Sequence, residues 1–316
     1  MMGEGHLIKK DVNWANEKKK IVYIAALLYV LVTGHSFLFT KVALEGGGPV
    51  DILAHRFVAA FLGLAIAMAL GWVRVSFKKS EVLRILPLAL FYPLSFFGFQ
   101  TVGLMYATSA EAGIITAAAP IFTLVFASIF LKEKSTALQT GSIIVSVIGV
   151  VYVGVMKGAT LDTNNILGIV LLALSALSLA GYNVLARSLT KSFTNIELTA
   201  VMITISFITY NLIALFSHLS TGNVMGYFAP LGNGKYILSI IYLGVLSSLM
   251  TSILSNYMLS KLPASRAGTF LNLVTVVTIL AGVFILKEEI HTYHLIGVVL
   301  IISGVIGANY FKPKNT

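Results

Sequence analysis

Apolar runs of about twenty residues recur along the whole chain, separated by short polar joins. A helix crossing roughly 30 Å of hydrocarbon needs about that length, and backbone polar groups in lipid must be paired within their own segment. Each run therefore predicts one whole helix. The expected spans are 21–42, 50–72, 83–105, 110–131, 136–156, 165–187, 196–217, 236–258, 265–286 and 292–311, ten crossings in all.

The run Ala110–Lys134 has a second copy. Its ending, Leu131-Lys132-Glu133-Lys134, returns as Leu286-Lys287-Glu288-Glu289, and on that register Ala112-Gly113 falls on Ala267-Gly268, Thr123 on Thr278 and Gly149 on Gly304. The opening helices repeat more weakly: Gly34-His35-Ser36 resembles Gly181-Tyr182-Asn183. Five helices per copy is an odd number, so the second copy must enter the membrane from the opposite side. The expected fold is an all-α integral membrane protein, two inverted five-helix repeats around a central cavity. The expected divisions are a cytoplasmic tail over 1–20, repeats over 21–156 and 164–312, a linker over 157–163 and a tail over 313–316.

Composition agrees with the pattern. Charged residues are 11% and apolar residues 57% of the 316, whereas a soluble chain carries about a quarter charged. The net charge of +10 would suggest nucleic acid in a soluble protein, but its placement argues for orientation instead. Lysine and arginine crowd alternate joins: Lys9, Lys10 and Lys18 to Lys20, then Arg74, Lys78, Lys79 and Arg84, Lys132 and Lys134, Arg187 and Lys191, Lys261 and Arg266, Lys312 and Lys314. The other joins hold only Lys41, Lys157, Lys235 and Lys287. That alternation predicts both termini in the cytoplasm. With no cysteine, disulfides, thiolate metal sites and cysteine nucleophiles are excluded. The run after Lys20 has signal-peptide flanks but is too long and lacks a small-x-small cleavage site, so it reads as a span.

These features carry a resemblance. The first helix LVTGHSFLFTKVALEGG, the HRFVAA of span two, the unit YATSAEAGIITAAAPIFTLVFASIFLKEK, the glycine-spaced GSIIVSVIGVVYVG and the second copy KLPASRAGTFLNLVTVVTILAGVFILKEEI are similar to ten-helix members of the drug/metabolite transporter superfamily with two EamA domains. The resemblance implies transport of small metabolites, with the first four helices of each copy around the cavity and the fifth at the periphery. It says little about the substrate.

The candidate residues are those that lipid would penalise. Asp51, Glu111 and Glu197 fall near helix ends and no carboxylate lies near a span centre, which argues against a carboxylate proton relay, a strong sodium site and a substrate needing a buried counter-anion. His35, inside span one, is either a proton acceptor or a neutral bridge between helices. Arg56 either snorkels or pairs with Asp51; its functional alternative is a carboxylate-bearing substrate. Tyr92, Phe96 and Phe99 share one helical face, and Pro93, Ser95, Gly98 and Gln100 in the same stretch favour a cavity wall over a lipid face. Span eight offers Ser247, Thr251 and Ser255 at matching spacing, with Asn256 beside them. Pro120 should bend span four and free a carbonyl near Thr116, making it a hinge with Gly98. Tyr182, Asn183, Asn211 and Asn272 should face inward, toward substrate or a neighbouring helix. Glycines of spans five and ten allow close packing within the monomer or a homodimer through those helices.

The function expected is a secondary or facilitative carrier for a small polar or amphipathic metabolite, such as an amino acid, in the cytoplasmic membrane. Export is the direction the resemblance implies. No cofactor, metal or nucleic-acid partner is expected. No GxxxxGK[ST] loop supports ATP-driven pumping, and neither paired intramembrane aspartates nor HExxH supports an intramembrane enzyme. A non-transporting small-molecule receptor or scaffold is the remaining alternative.

Overall fold

The computed structural model describes residues 4–75, 79–130, 136–157, 163–262 and 264–311. The described residues are helical, with short turns and no strand. The helices are α1 (Glu4–Leu44), α2 (Pro49–Ala69), α3 (Lys79–Ala89), α4 (Phe96–Gly103), α5 (Ser109–Thr116), α6 (Ala119–Phe130), α7 (Ala137–Lys157), α8 (Thr163–Leu189), α9 (Asn195–Ser220), α10 (Gly234–Ile241), α11 (Thr251–Lys261), α12 (Ala264–Ile285) and α13 (Thr292–Tyr310). Two π-helical stretches, Leu90–Ser95 and Tyr242–Met250, join α3 to α4 and α10 to α11.

Among the described residues seven helices are long and apolar enough to cross a membrane, and three shorter apolar stretches lie in α7, α12 and α13. Their outward faces carry Leu27, Leu62, Ile66, Leu212, Phe216 and Leu238, each about half exposed or more. In water such a surface would aggregate; in a bilayer it is the solvent-matched face. This is a multi-pass membrane protein.

The starts of the helices follow local chemistry. Thr108 and Thr194 each accept from the amide three residues on, and Glu111 and Glu197 return the bond to the cap amide. Both are capping boxes, which satisfy amides that lipid or protein would otherwise strand. The N-terminal residues 4–20, expected as a tail, continue α1 as one helix.

The contacts between elements come in exchange-related pairs. α1 packs on α12 as α8 packs on α6; α2 meets the second π stretch as α9 meets α3; α4 lies on α8 as α11 lies on α1. α7 and α13, the fifth helix of each copy, run along each other. A Cβ on Gly304 would lie 2.5 Å from Ser146 Cβ and 2.6 Å from the Ser142 carbonyl, and one on Gly149 would meet Leu300 and Ile301 within 3.0 Å. Gly149, Gly297, Gly304 and Gly307 are thus spent on packing within the chain, whereas a Cβ on Gly141 would meet nothing within 4 Å.

Candidate functional site

One broken helix and one crossing with a continuous π-helical stretch define the centre. In the first, Tyr92 has extended backbone (φ −145°, ψ 124°) in the middle of an otherwise helical crossing. Pro93 explains it, because proline disfavours helical geometry in the residue before it and gives no N–H to the preceding turn. In the second, the widened turn is partly satisfied by Ser248 Oγ, which donates to the Leu243 carbonyl at 2.9 Å. Irregular backbone such as that at Tyr92 is tolerated at membrane depth only where it is buried in protein or lines a water-filled cavity.

Both stretches face a buried aromatic and hydroxyl cluster. Tyr92 lies 4.7 Å from Tyr182, 5.1 Å from Phe97 and 5.2 Å from Phe96 between ring centroids. Its hydroxyl lies on the side of Thr251 and Ser252, while Tyr182 donates to Asn256 Oδ1 at 2.9 Å and Asn256 Nδ2 donates to Thr199 Oγ1 at 3.0 Å. Tyr29 borders both tyrosines. Thr251 Oγ1 donates to the Ser247 carbonyl at 2.6 Å.

Arg56 closes one side and is 0% exposed. Its Nε donates to Ser248 Oγ at 2.7 Å, its Nη2 to Ser247 Oγ at 3.0 Å, and its guanidinium carbon sits 3.5 Å over the Phe97 ring. The expected ion pair with Asp51 does not form. Asp51 instead meets His218 Nε2 at 2.7 Å near the helix end, because it lies more than a turn before Arg56 and on the way to water. Arg56 does not snorkel; the hydroxyls of the second π stretch give it acceptors in the interior.

Of the residues singled out from the sequence, Tyr92, Phe96, Tyr182, Ser247, Thr251 and Asn256 come together. Phe99 does not: it is half-buried and outside the ring cluster, and Phe97 takes its place, because the break at Tyr92 voids uniform 3.6-residue spacing. Ser95 is half-buried within the break, and a Cβ on Gly98 would come 3.0 Å from the Tyr210 hydroxyl. Asn183 Nδ2 reaches Thr123 Oγ1 at 3.5 Å, and Asn211 donates to the Phe207 carbonyl and accepts from Tyr227, so both bridge or brace helices. Thr116 donates to the Ala112 carbonyl of its own helix, as His35 Nδ1 does to Leu31. Asn272 falls in α12 and its side chain lies outside the described residues, as do the joins at 131–135 and 158–162. At Pro120 the crossing does not merely bend. α5 ends at Thr116 and α6 starts at Ala119, with Ala117 and Ala118 in a turn.

Sequence reading missed Phe97, Ser248 and Tyr210 as neighbours of Arg56. The available signal was the adjacent pair Ser247-Ser248, of which only one was used. It also passed over His55, whose Nδ1 lies 2.8 Å from the Tyr236 hydroxyl under the Tyr227 ring.

A cavity of about 670 Å³ opens at the end where residues 45–49, 104–108 and 286–288 meet, lined by Lys41, Glu45, Thr108 and Glu288 among others. Glu288 accepts from the Ser109 amide at 2.8 Å, the Ser109 hydroxyl at 2.7 Å and the Ala110 amide at 3.0 Å. A carboxylate of the second copy therefore caps α5 of the first. Among the described residues no three His, Asp or Glu side chains are grouped to hold a metal ion.

The sequence profile of the EamA-like transporter family matches residues 20–155 and 166–310, nearly the whole chain in two successive copies. The chain belongs to the EamA-like transporter family. Among similar EamA proteins, one from Bacillus subtilis (strain 168), named uncharacterized transporter YcxC, is 49% identical over 294 residues, covering 93% of this chain and 94% of the relative. An uncharacterized transporter from Archaeoglobus fulgidus is 29% identical over 283 residues, 90% of this chain and 96% of that one. A solved structure described only as "Crystal structure of protein" superposes with a TM-score of 0.64 at 18% identity, covering 93% of this chain and 99% of that chain, and shares the fold.

Proposed function

We propose that this EamA protein is a secondary or facilitative carrier that moves a small polar or amphipathic metabolite, such as an amino acid, across the cytoplasmic membrane. It works by alternating access between two inverted five-helix repeats, residues 21–156 and 164–312, with ten crossings and both termini in the cytoplasm. The observation that carries this reading is the pair of π-helical stretches in matching positions of the two copies, Leu90–Ser95, broken at Tyr92, and Tyr242–Met250, facing one buried polar and aromatic cluster. Discontinuous helices at the repeat interface are where carriers of this architecture hold substrate. The substrate site comprises Tyr92, Phe96, Tyr182, Ser247, Thr251 and Asn256, with the Ala117–Ala118 turn before Pro120 as a hinge. Export follows the usual direction of the drug/metabolite superfamily.

The test is counterflow in proteoliposomes after a thermal-shift screen of amino acids, nucleosides, amines and sugars. A ligand at a hundred times its dissociation constant stabilises by about 2.7 kcal/mol, which such a screen detects. Labelled hit should accumulate against unlabelled hit, and Tyr92→Ala should abolish both the shift and the exchange. Binding without exchange would turn the protein into a receptor and end the carrier reading.

A further inference from the structure

Arg56 is charged, completely buried and incompletely satisfied. Its Nε and Nη2 go to neutral serine oxygens, and its Nη1 is buried with no partner. No described carboxylate serves it. Asp51 is held by His218, Glu111 and Glu197 by their capping boxes, and Glu288 by the α5 amides. A buried cation is expensive unless an anion meets it, and here the protein supplies hydroxyls, a carbonyl and a ring face instead. Gln100 adds to the same side. It lies one helical turn beyond Phe97, the ring on which Arg56 stacks, and both its amide oxygen and nitrogen are buried without partners; Thr101 Oγ1 beside it is likewise unpartnered. Around these donors stand the rings of Tyr92, Phe96, Phe97 and Tyr210.

We infer that the cargo of this carrier bears a carboxylate, and that Arg56 Nη1, seconded by Gln100, receives that carboxylate while the aromatic rings hold an apolar body. The inference rests on the carrier reading. Arginine suits the task because its planar fork can keep its serine bonds through Nε and Nη2 and still present Nη1 to an oxygen. The cluster holds no described carboxylate to take an ammonium group, so zwitterionic amino acids and plain monocarboxylates share the recognised chemistry.

The experiment uses matched probes differing only at the head group: phenylalanine against phenylalaninamide, leucine against leucinamide, 3-phenylpropionate against 3-phenylpropionamide and hexanoate against hexanamide. Thermal shifts of the purified full chain give an apparent affinity for each. At least one carboxylate should bind about tenfold or more tightly than its amide, the scale of one charge-assisted hydrogen bond. Arg56→Gln should erase that gap, Arg56→Lys should recover part of it, and Gln100→Leu should narrow it. The first two pairs identify a zwitterion, the last two a monocarboxylate. The comparison within a pair needs no variant, so a misfolded Arg56→Gln leaves the test standing. Amides binding as well as acids, no acid binding at all, or a gap unchanged in Arg56→Gln would overturn the inference. Exchange of an amide or amine but of no acid would overturn it and keep the carrier; an Arg56-dependent acid that binds but never exchanges would do the reverse.

Discussion

Gly244 sits where α2 crosses the second π stretch, and an added Cβ would lie 2.5 Å from the Arg56 carbonyl oxygen, 2.6 Å from Ala59 Cβ and 3.0 Å from the Ala60 amide nitrogen. Ordinary carbon contacts are about 3.5–4.0 Å, so Gly244→Ala must push backbone from backbone by roughly 1 Å. Overpacking of this kind costs about 1–3 kcal/mol, against which alanine recovers up to about 1 kcal/mol of helix propensity. The net is a destabilisation of about 1–2 kcal/mol. The displacement also separates Arg56 from Ser247 and Ser248, whose bonds of 3.0 and 2.7 Å have little slack before they exceed hydrogen-bonding range. Gly63→Ala is the control on the same pair of elements. There the Cβ would meet Leu249 Cδ2 at 3.2 Å and Val245 Cγ2 at 3.7 Å, side-chain ends that can turn aside. Denaturation in detergent, followed by ligand titration of whatever remains folded, should show Gly244→Ala less stable and weaker in binding than Gly63→Ala. Equal stability and equal affinity for the two variants would refute the close approach of α2 to the second π stretch.

Tyr182→Phe leaves Asn256 Oδ1 without its donor and should cost about 1–3 kcal/mol in thermal denaturation. Glu288→Ala strips three bonds from the start of α5 and should cost about 1–2 kcal/mol; with no native cysteine to interfere, a cysteine placed at buried Ala112 should then react faster with maleimide. Asp51→Asn, in a pair near the helix end, should cost less than about 1 kcal/mol and leave ligand affinity intact, whereas a matching loss in Asp51→Asn and Arg56→Gln would restore the ion pair that the structure lacks. Gly304→Leu should abolish folded yield in detergent chromatography, since its face is filled by Ser142 and Ser146; a folded monomer would contradict that packing.

The helices were legible because lipid turns a chain-wide thermodynamic demand into runs of about twenty apolar residues, and apart from the start of α1, which begins at Glu4 instead of 21, the observed outer limits depart from the expected ones by only a few residues. At Pro120 the missing donor predicted a bend, and the crossing is instead interrupted over Ala117 and Ala118. What failed was everything that depended on regularity through a break. Phe99 was placed beside Tyr92 by helical spacing, but Tyr92 is extended, and Phe97 is the ring that reaches both Tyr92 and Arg56. Arg56 was assigned to Asp51 by proximity along one helix. Its real partners come from a crossing nearly two hundred residues later, and no local pattern reports which hydroxyls will meet a given guanidinium. His35 and Tyr182 occupy matching positions in the two copies, yet one bonds its own helix and the other anchors the central network.

The oppositely threaded halves underlie the carrier reading, and sidedness tests them most directly. Lys79 and Lys235 stand at corresponding joins of the two copies, before the third crossing of each. Single cysteines at these positions, probed with a membrane-impermeant maleimide on intact cells and again after permeabilisation, should react on opposite sides: Lys235→Cys from outside, Lys79→Cys only once the membrane is opened. Labelling of both from the same side would make the halves parallel copies and contradict the account.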